Sequence, residues 1–367
     1  MGRISAFGQN LYEGKVSFDF VGRRKLWYTI SALIVVLATV AFGVRGFNLG
    51  IEFKGGVEFT AQVQTANAKT VDEMASAVRD AGVPEAGDPI ASTSGNSAVR
   101  IQTRALTQDQ ASTLQDAMTA AGATEVSQNL IGPSWGEQVA KKALTGLIVF
   151  LVLVVLFIWV YFREWRMSAA ALVALGHDLL ITAGVYAWSG FEVTPATVTG
   201  LLTILGYSLY DTVVVFDKVR ENTKSIPETT TSTYPEQANL AVNQTLVRSI
   251  NTSITALLPV FALLVVGAAV LGTGPLKDLA LALFVGMAAG TYSSICIATP
   301  FAVQLKEIDP VIVAHTKRVL DRREKREAAA AVEPVAAAPA RPVTPSGASK
   351  RSQPSRTSRS RRPKGGS

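Results

Sequence analysis

The chain has 367 residues, a formal net charge of +7, 48% apolar residues and only 17% charged residues. A soluble chain of this length would be expected to form two or three domains. Here, however, the apolar residues are gathered into stretches of about 20, the length that spans a bilayer. This distribution excludes an ordinary soluble protein. The one cysteine, Cys296, excludes an intrachain disulfide.

The charge is distributed unevenly along the chain. Residues 45–138 hold 6 basic and 11 acidic side chains, whereas residues 303–367 hold 15 basic and 6 acidic ones. The positive net charge is therefore an average over an acidic middle and a basic tail. We interpret it as no indication of specific nucleic-acid binding.

Six stretches have the length and apolarity of transmembrane helices. They are predicted at 26–44, 143–162, 167–188, 196–216, 250–271 and 276–303. Lys and Arg residues lie before span one, between spans two and three, after span four and after span six. With six spans these four segments share one side, which the positive-inside rule makes cytoplasmic. We predict a multi-pass plasma-membrane protein with both termini in the cytoplasm.

The spans divide the chain into predicted regions. Residues 1–25 form a cytoplasmic N-terminus, 26–44 the first span, 45–138 an extracytoplasmic domain, 139–303 a bundle of five spans and 304–367 a cytoplasmic tail. In the domain, strands are predicted over 51–63, 99–103 and 126–131 and helices over 70–82 and 107–122. This order indicates a small α+β fold of the ferredoxin-like kind. The domain contains no His or Cys, so we expect it to bind or couple and not to catalyse a reaction.

Asp211 is the first candidate for function, because a charge at the bilayer centre costs at least ~2.5–3.5 kcal/mol. It lies in the cytoplasmic third of span four, and Thr203 and Tyr207 share its predicted helix face. Arg248, near the start of span five, lies at a similar depth and shares a face with Asn251 and Thr252. Since Arg stays protonated, we expect it to lie beside the Asp211 carboxylate.

An Asp between burial and an arginine can take up and release a proton as helices move, as in the proton relays of transporters. A static ion pair that fixes helix packing is the alternative, and Arg248 alone could instead reach the cytoplasmic interface. His177 and Asp178 in span three are secondary candidates. As sequence neighbours they point about 100° apart, so we expect that they cannot both face one partner and that only one of them joins the polar core. A purely structural histidine is equally compatible with the sequence.

Gly286 and Gly290 are interpreted as helix-packing positions. Ser293 and Ser294 belong to the same small-residue face, to which we assign no transport chemistry. Nucleotide-binding and hydrolytic motifs are absent from the sequence. We therefore expect no enzymatic activity, no cofactor and no metal site.

Several motifs resemble the SecF family of protein-export membrane proteins, part of the RND-like superfamily. They are NLGIEFKGGVEF, IGPSWGEQVAKKAL, YFREWRMSAAALVALGHDLLITAGV, LLTILGYSLYDTVVVFDKVREN, LVRSINTSITALLP and GTYSSICIATP, which together cover roughly 49–300 in the family's order. Tyr210 stands where many relatives have Asn, Lys218 where Arg is usual, and Gly274-Pro275 where a Gly pair is common.

The resemblance implies a subunit that pairs with SecD on the SecYEG channel. There it would use the proton-motive force to move preproteins after the SecA ATPase has acted. The family's membrane Asp matches Asp211, and its Arg matches Arg248. Whether the coupling ion is H⁺ or Na⁺ stays open.

The sequence is compatible with two other functions. One is an RND-like exporter of lipid or small hydrophobic molecules, and the other is a scaffold in which Asp211 and Arg248 only pack helices.

The tail carries eight basic and no acidic residues from position 341 onward. We predict that it is largely disordered and contacts anionic lipid headgroups.

Overall fold

The computed structural model describes residues 9–13, 15–267 and 275–332. The chain divides into two units, the first ending at Asp321 and the second beginning at Arg322. In chain order the elements are α1 (Arg24–Arg45), β1 (Asn48–Leu49), α2 (Ile51–Lys54), β2 (Gly56–Gln62), α3 (Ala68–Asp80), β3 (Ile90–Ser94), β4 (Ala98–Thr103), α4 (Gln108–Ala120), β5 (Glu125–Ile131), α5 (Pro133–Phe162), α6 (Trp165–Ser189), β6 (Glu192–Val193), α7 (Pro195–Thr223), α8 (Tyr234–Val266), α9 (Pro275–Ser293), a π-helical segment (Ser294–Ala298), α10 (Thr299–Lys306) and α11 (Pro310–Val332).

Six helical stretches of the described chain are long and apolar enough to cross a membrane. They are α1, α5, α6, α7, α8 and the continuous run from α9 through α10. Each contains one predicted span or its described part, so the six spans are confirmed by length and composition. The end of predicted span five and residues 333–367 of the tail lie outside the described residues.

Between α1 and α5 lies an α+β domain built on a four-stranded sheet. The strand order is β3-β4-β2-β5, and every neighbouring pair is antiparallel. Apolar side chains of the two central strands pack against α3 and α4, burying Phe59, Ile101, Met74, Leu114 and Met118. The helix predicted over 107–122 is capped by the Thr107 hydroxyl, whereas the helix predicted over 70–82 begins at Ala68 and is capped by Asn67.

Two parts of the predicted domain are wrong in detail. The strand expected over 51–63 begins only at Gly56, because Ile51–Lys54 forms a helical turn that ends at Gly55 with a φ of 74°. A side chain at Gly56 would collide with the backbone carbonyl of Thr103, so this close approach requires glycine. Strand β3 is also additional. It is an edge strand with a mostly polar sequence, so it lacks the alternating pattern that reveals a half-buried strand.

The helix bundle is held by close contacts at small residues. Gly286 of α9 faces Ile204 of α7, and Gly290 faces Ser208 one turn further along the same helix. In a membrane such contacts let helix backbones approach closely, which dispersion then stabilises. A two-stranded parallel pair, β1 with β6, connects the start of the α+β domain to the loop between α6 and α7.

We predict that Gly286→Ala destabilises the bundle and that Gly176→Ala does not. A methyl group at Gly286 would overlap the Ile204 side chain, whereas at Gly176 it meets nothing within 4 Å. Overpacking costs about 1–3 kcal/mol, while alanine in an open helical position stabilises by roughly 0.5–1 kcal/mol. Thermal unfolding of the full chain in detergent should therefore give midpoints that shift in opposite directions. A midpoint for Gly286→Ala at or above that of the unmodified chain would contradict the packing argument.

Candidate functional site

Asp211 lies in the middle of the bundle, on α7. The residue is 5% exposed, and its carboxylate accepts one hydrogen bond from the Ser249 hydroxyl of α8, at 2.7 Å. The second oxygen accepts a hydrogen bond from the Ser294 hydroxyl, at the start of the π-helical segment. Three elements of the bundle thus meet at this one carboxylate.

Asp178 is a second buried carboxylate, on α6, and is only 1% exposed. Its Oδ2 accepts hydrogen bonds from Ser208 of α7 at 2.6 Å and from Ser293 of α9 at 2.9 Å. Ser293 and Ser294 are consecutive residues, and each donates to a different aspartate. The two carboxylates are therefore connected through two consecutive serines of one helix. We call the two aspartates and the four serines that bind them the serine-bridged site: Asp178, Ser208, Asp211, Ser249, Ser293 and Ser294.

The helical turn that carries this connection is not an α-helical one. Pro300 has no N–H with which to complete the α-helical ladder, and the preceding backbone widens into a π-helical turn. The Thr299 hydroxyl donates to the backbone carbonyl of Ser294 at 3.1 Å. Single π turns inside helices are frequent at functional sites. The proline thus places an irregular helical turn, whose backbone hydrogen bonds can rearrange, next to both carboxylates.

A short row of hydroxyls approaches the site along α7 and α8. The Tyr207 hydroxyl donates to Ser253 Oγ at 3.1 Å, and Ser253 Oγ lies 2.7 Å from the Thr291 hydroxyl. Ser253 also donates to the backbone carbonyl of Ser249, the residue that binds Asp211. Tyr207 thus lies close to the site on the side of the α+β domain. The predicted companion Thr203 is exposed and donates only to the carbonyl of Thr199.

The expected ion pair between Asp211 and Arg248 is not formed in this structure. Arg248 is exposed, and its guanidinium donates to the hydroxyl of Tyr210 at 3.2 Å. The reason is the rotation of α8, which turns the next residue, Ser249, towards α7. Asn251 lies on the exposed side with Arg248, and Thr252 is half-buried.

Arg248 lines a polar cavity at the end of α7 that lies away from the α+β domain. The cavity has a volume of about 490 Å³, and its lining includes Tyr12, Asp217, Lys218 and Glu221. Water can therefore reach Arg248. This agrees with the alternative in which Arg248 extends towards the membrane–water interface and does not pair with Asp211.

The side chains of His177 and Asp178 interact with each other, a contact that the sequence does not predict. His177 Nδ1 lies 3.2 Å from Asp178 Oδ1, and the ring is centred 6.0 Å from that of Tyr292. The other ring nitrogen, Nε2, is buried and has no hydrogen-bond partner among the described residues. The histidine therefore extends the serine-bridged site on the α6 side.

Sequence reasoning missed the serines that hold the two carboxylates. Ser293 and Ser294 were assigned to packing alone, and that interpretation is incomplete because both hydroxyls bind a carboxylate. Ser208 and Ser249 were not singled out. A usable signal existed: each of the two serines lies within three residues of a candidate on its own helix, Asp211 or Arg248.

A separate charged cluster joins the α+β domain to the bundle. Arg100 of β4 binds Glu58 of β2 at 2.6 Å and Glu192 of β6 at 2.7 Å. Burial by itself lowers the pKa of Arg100, but the two carboxylates outweigh it and raise the pKa above its ordinary value. Nearby, burial raises the pKa of Glu52, one of whose oxygens is buried with no partner among the described residues. Sequence reasoning did not find this cluster, because its members are far apart in the chain.

The described residues include no group of three or more His, Cys, Asp or Glu side chains that could hold a metal ion. The arrangement at the centre of the bundle offers carboxylates and hydroxyls, which bind and pass protons. Such an arrangement is chemically able to hold a proton and to exchange it between buried groups.

Comparisons with known proteins point in one direction. Residues 111–308 match the family described as protein export membrane protein SecD/SecF, C-terminal, and residues 40–66 match the SecD/SecF GG motif. The chain is 49% identical over 330 residues to protein translocase subunit SecF of Streptomyces coelicolor, covering 88% of this chain and 86% of that protein. It is 45% identical to the Mycobacterium tuberculosis protein of the same name, covering 87% and 74%.

Solved structures of SecDF are also similar. The crystal structure of SecDF, a translocon-associated membrane protein from Thermus thermophilus, matches with a TM-score of 0.69 and 32% identity. The match covers 80% of this chain and 39% of that one. A SecDF structure in a super-membrane-facing form matches with a TM-score of 0.57 and 29% identity, over 86% and 40%. The chain thus spans about two fifths of the length of the SecDF proteins.

We predict that Glu52→Gln stabilises the chain at neutral and alkaline pH but not in acid. A carboxyl whose pKa is raised by folding destabilises the folded state when ionised, so the cost is present above the folded-state pKa. It disappears below the unfolded-state value, where both states are protonated. Unfolding midpoints at about pH 8 and about pH 4 should show the gain only at the higher pH. Glu125→Gln, at an exposed position, is the control, and an equal gain at both pH values would contradict the prediction.

Proposed function

The chain belongs to the SecD/SecF family of protein-export membrane proteins as a SecF-like subunit, and we propose that it couples proton movement through Asp211 to preprotein translocation. In this proposal the proton-motive force supplies the energy. The chain needs no cofactor and makes or breaks no covalent bond.

The observation that carries the proposal is the way Asp211 is held. Its partners are two hydroxyls, from Ser249 and Ser294. A hydroxyl donates to an ionised carboxylate and accepts from a protonated one, so the same pocket satisfies both states. A static ion pair would need a cation, and no described Lys or Arg forms a salt bridge with Asp211. The geometry therefore favours a titrating carrier over a fixed packing pair.

Asp178 is a second proton-binding group in the proposed relay. The adjacent Ser293 and Ser294 connect it to Asp211, and His177 lies against it on the same helix. In this proposal, protons would arrive from the side of the α+β domain, where Tyr207 lies. They would leave through the polar cavity lined by Arg248, at the opposite end of α7.

We further propose that the α+β domain is ferredoxin-like and extracytoplasmic, with both chain termini in the cytoplasm. The antiparallel order β3-β4-β2-β5 with two helices on one face supports the fold. The distribution of Lys and Arg supports the orientation. The bonds of Arg100 to Glu58 and Glu192 would then transmit movement between the bundle and the domain.

SecD is the proposed direct partner, with the SecYEG channel, SecA and the preprotein in the wider assembly. The SecDF proteins are more than twice as long as their matched parts, which supports a second half beside this chain. Exposed polar side chains on the membrane helices, Thr203 and Asn251, support the same conclusion. Polar groups in contact with lipid are costly, so a partner helix would cover them.

The other interactions considered have less support. Anionic lipid binding by the basic tail falls mainly on residues outside the described part of the chain. We assign no specific nucleic-acid partner. The alternative of an RND-like exporter of lipid or small hydrophobic molecules is not favoured, because the matched relatives carry the names of protein-export subunits.

Asp211→Asn should abolish the proton-driven part of export while leaving the complex assembled. The amide keeps the size and hydrogen-bonding capacity of the carboxyl but cannot carry a proton. Export into membrane vesicles, measured with and without an imposed proton gradient, reports the effect. The control is Glu228→Gln, an exposed carboxylate shortly after the same helix and outside the Arg248 cavity, for which we expect unchanged export. Proton-dependent export at the normal rate in Asp211→Asn would exclude Asp211 as the carrier.

Affinity purification of the tagged full chain from its native membrane should recover SecD in near-equal amount. Mass spectrometry of the mild-detergent extract identifies the proteins, and channel subunits are expected at lower yield. A purified chain that carries no SecD-like protein would contradict the proposed assembly.

A further inference from the structure

Tyr292 immediately precedes the two serines that connect the carboxylates of the serine-bridged site. Ser293 donates to Asp178 of α6. Ser294 donates to Asp211 of α7. The Tyr292 hydroxyl binds neither carboxylate and instead reaches α1, a helix that contributes no residue to the site. Three consecutive side chains, at the end of α9 and the start of the π-helical segment, thus reach three different helices.

The hydroxyl of Tyr292 meets one turn of α1. It donates to the backbone carbonyl of Trp27 at 3.3 Å and lies 2.9 Å from Ser31 Oγ, one turn further along the helix. When the tyrosine donates to the carbonyl, the serine donates to the tyrosine, so each O–H group has an acceptor. The rings of Trp27 and Tyr292 are also in edge contact, with centroids 6.4 Å apart. Tyr292 therefore holds α1 through both polar and aromatic contacts.

This contact stands out because α1 buries few side chains. Of its 22 residues only Ser31 and Ala41 are buried. The other hydrogen bonds between α1 and the rest of the described chain lie near its ends, from Arg24, Tyr28 and Arg45. A buried serine hydroxyl inside a bilayer is costly without a partner, and Tyr292 supplies that partner. The interior of α1 is thus tied to the bundle through the residue next to the two serines.

The tyrosine ring also lies beside His177. The two ring centroids are 6.0 Å apart, with an interplanar angle of 33°, and His177 Nδ1 lies 3.2 Å from Asp178 Oδ1. Tyr292 therefore contacts both α1 and the imidazole that interacts with Asp178. A displacement of Tyr292 changes both contacts at once.

From this contact α1 continues to the α+β domain. Between Ser31 and Arg45 it runs for fourteen residues, roughly 21 Å. The Arg45 guanidinium donates to the carbonyl of Trp188, near the end of α6, at 2.7 Å, and β1 begins shortly afterwards at Asn48. Because an α-helix of this length is stiff, a shift at Ser31 is transmitted to the base of the domain.

We propose that Tyr292 is a positioning residue that links the protonation state of the serine-bridged site to the position of α1. The inference rests on the proposed proton coupling through Asp211 and adds a second route to the α+β domain. A change of protonation alters the partners of Ser293 and Ser294 and shifts the π-helical turn. The Tyr292 hydroxyl then carries this shift to Ser31. Tyr292 itself binds and releases no proton in this scheme.

A static packing bond between Tyr292 and Ser31 is the alternative. Such a bond stabilises the contact of α1 with α9 equally with and without a proton gradient. Its loss would therefore lower ATP-driven and gradient-driven export by the same factor. A positioning role predicts instead that only the gradient-driven part is lost, because only that part requires α1 to follow the serine-bridged site.

The test uses Tyr292→Phe in the full complex, in native membrane vesicles that export a preprotein. Phenylalanine keeps the ring contacts and removes only the hydroxyl. We expect the increment of export produced by an imposed proton gradient to fall roughly fivefold, the factor that one hydrogen bond represents, while export driven by ATP alone is unchanged. Ser31→Ala should give the same loss. The double variant should lose no more than either single variant, because both changes remove one shared bond.

Tyr28→Phe is the matched control. Tyr28 is a tyrosine of α1 whose hydroxyl donates to Gln304 of α10 at 3.2 Å, so it also joins α1 to the bundle but does not contact the residues around the two serines. We expect the full gradient-driven increment in this variant. A loss as large as that of Tyr292→Phe would show that any bond of α1 to the bundle matters and would refute the specific role of Tyr292.

Asp211→Asn, measured in the same vesicles, separates this inference from the proposed function. If Asp211→Asn abolishes the gradient-driven increment and Tyr292→Phe leaves it at the normal level, proton coupling stands and the role of Tyr292 is refuted. Equal losses of ATP-driven and gradient-driven export in Tyr292→Phe, or additive losses in the double variant, would show a static packing bond. A normal increment in Asp211→Asn would overturn the proposed coupling and this inference with it.

Discussion

The central constraint on this structure is that two buried carboxylates must be satisfied without water. Bilayer hydrocarbon offers no hydrogen-bond donors, so Asp178 and Asp211 depend on hydroxyls supplied by neighbouring helices. Those hydroxyls reach the carboxylates only if α6, α7, α8 and α9 pack closely. The glycine contacts between α9 and α7 make this approach possible, with Gly290 lying directly against Ser208, one of the donors. Packing and polar chemistry are therefore one arrangement and not two.

The same arrangement explains how a proton could move helices. Serine hydroxyls rotate freely and can exchange donor and acceptor roles, so a change at one carboxylate alters the partners of the other through Ser293 and Ser294. The π-helical turn supplies a backbone with fewer fixed bonds at that point. From Asp178, α6 continues for eleven residues, roughly 16 Å, to Ser189, just before Glu192 and its bond to Arg100. A shift at the proposed relay thus has a stiff connection to the α+β domain.

How far the sequence predicts this structure depends on the range of the interaction concerned. The six spans could be predicted because apolar runs are local and strong, and Asp211 because a carboxylate among them is costly wherever its partners lie. The partner itself could not be predicted. Arg248 and Ser249 are neighbours about 100° apart on α8, and the packing of α7 decides which of them faces Asp211. Likewise, β3 pairs at the sheet edge through its backbone, and Arg100 meets Glu192 only after folding has joined β1 to β6.

Arg248 lies in a different environment from Asp211. An arginine never loses its proton under physiological conditions, so on the membrane face of α8 it needs water or a counter-charge. The chain itself offers the hydroxyl of Tyr210, which is 53% exposed, and a polar cavity open to solvent. That cavity also contains the carboxylates of Asp217 and Glu221, whereas Asp211 accepts hydrogen bonds from two serine hydroxyls. Asp211 and Arg248, which the sequence predicts as a pair, therefore have different partners in the structure. In the proposed assembly, Arg248 would therefore face water and the acidic residues of its own cavity, and the proton carried by Asp211 would be exchanged within the serine-bridged site.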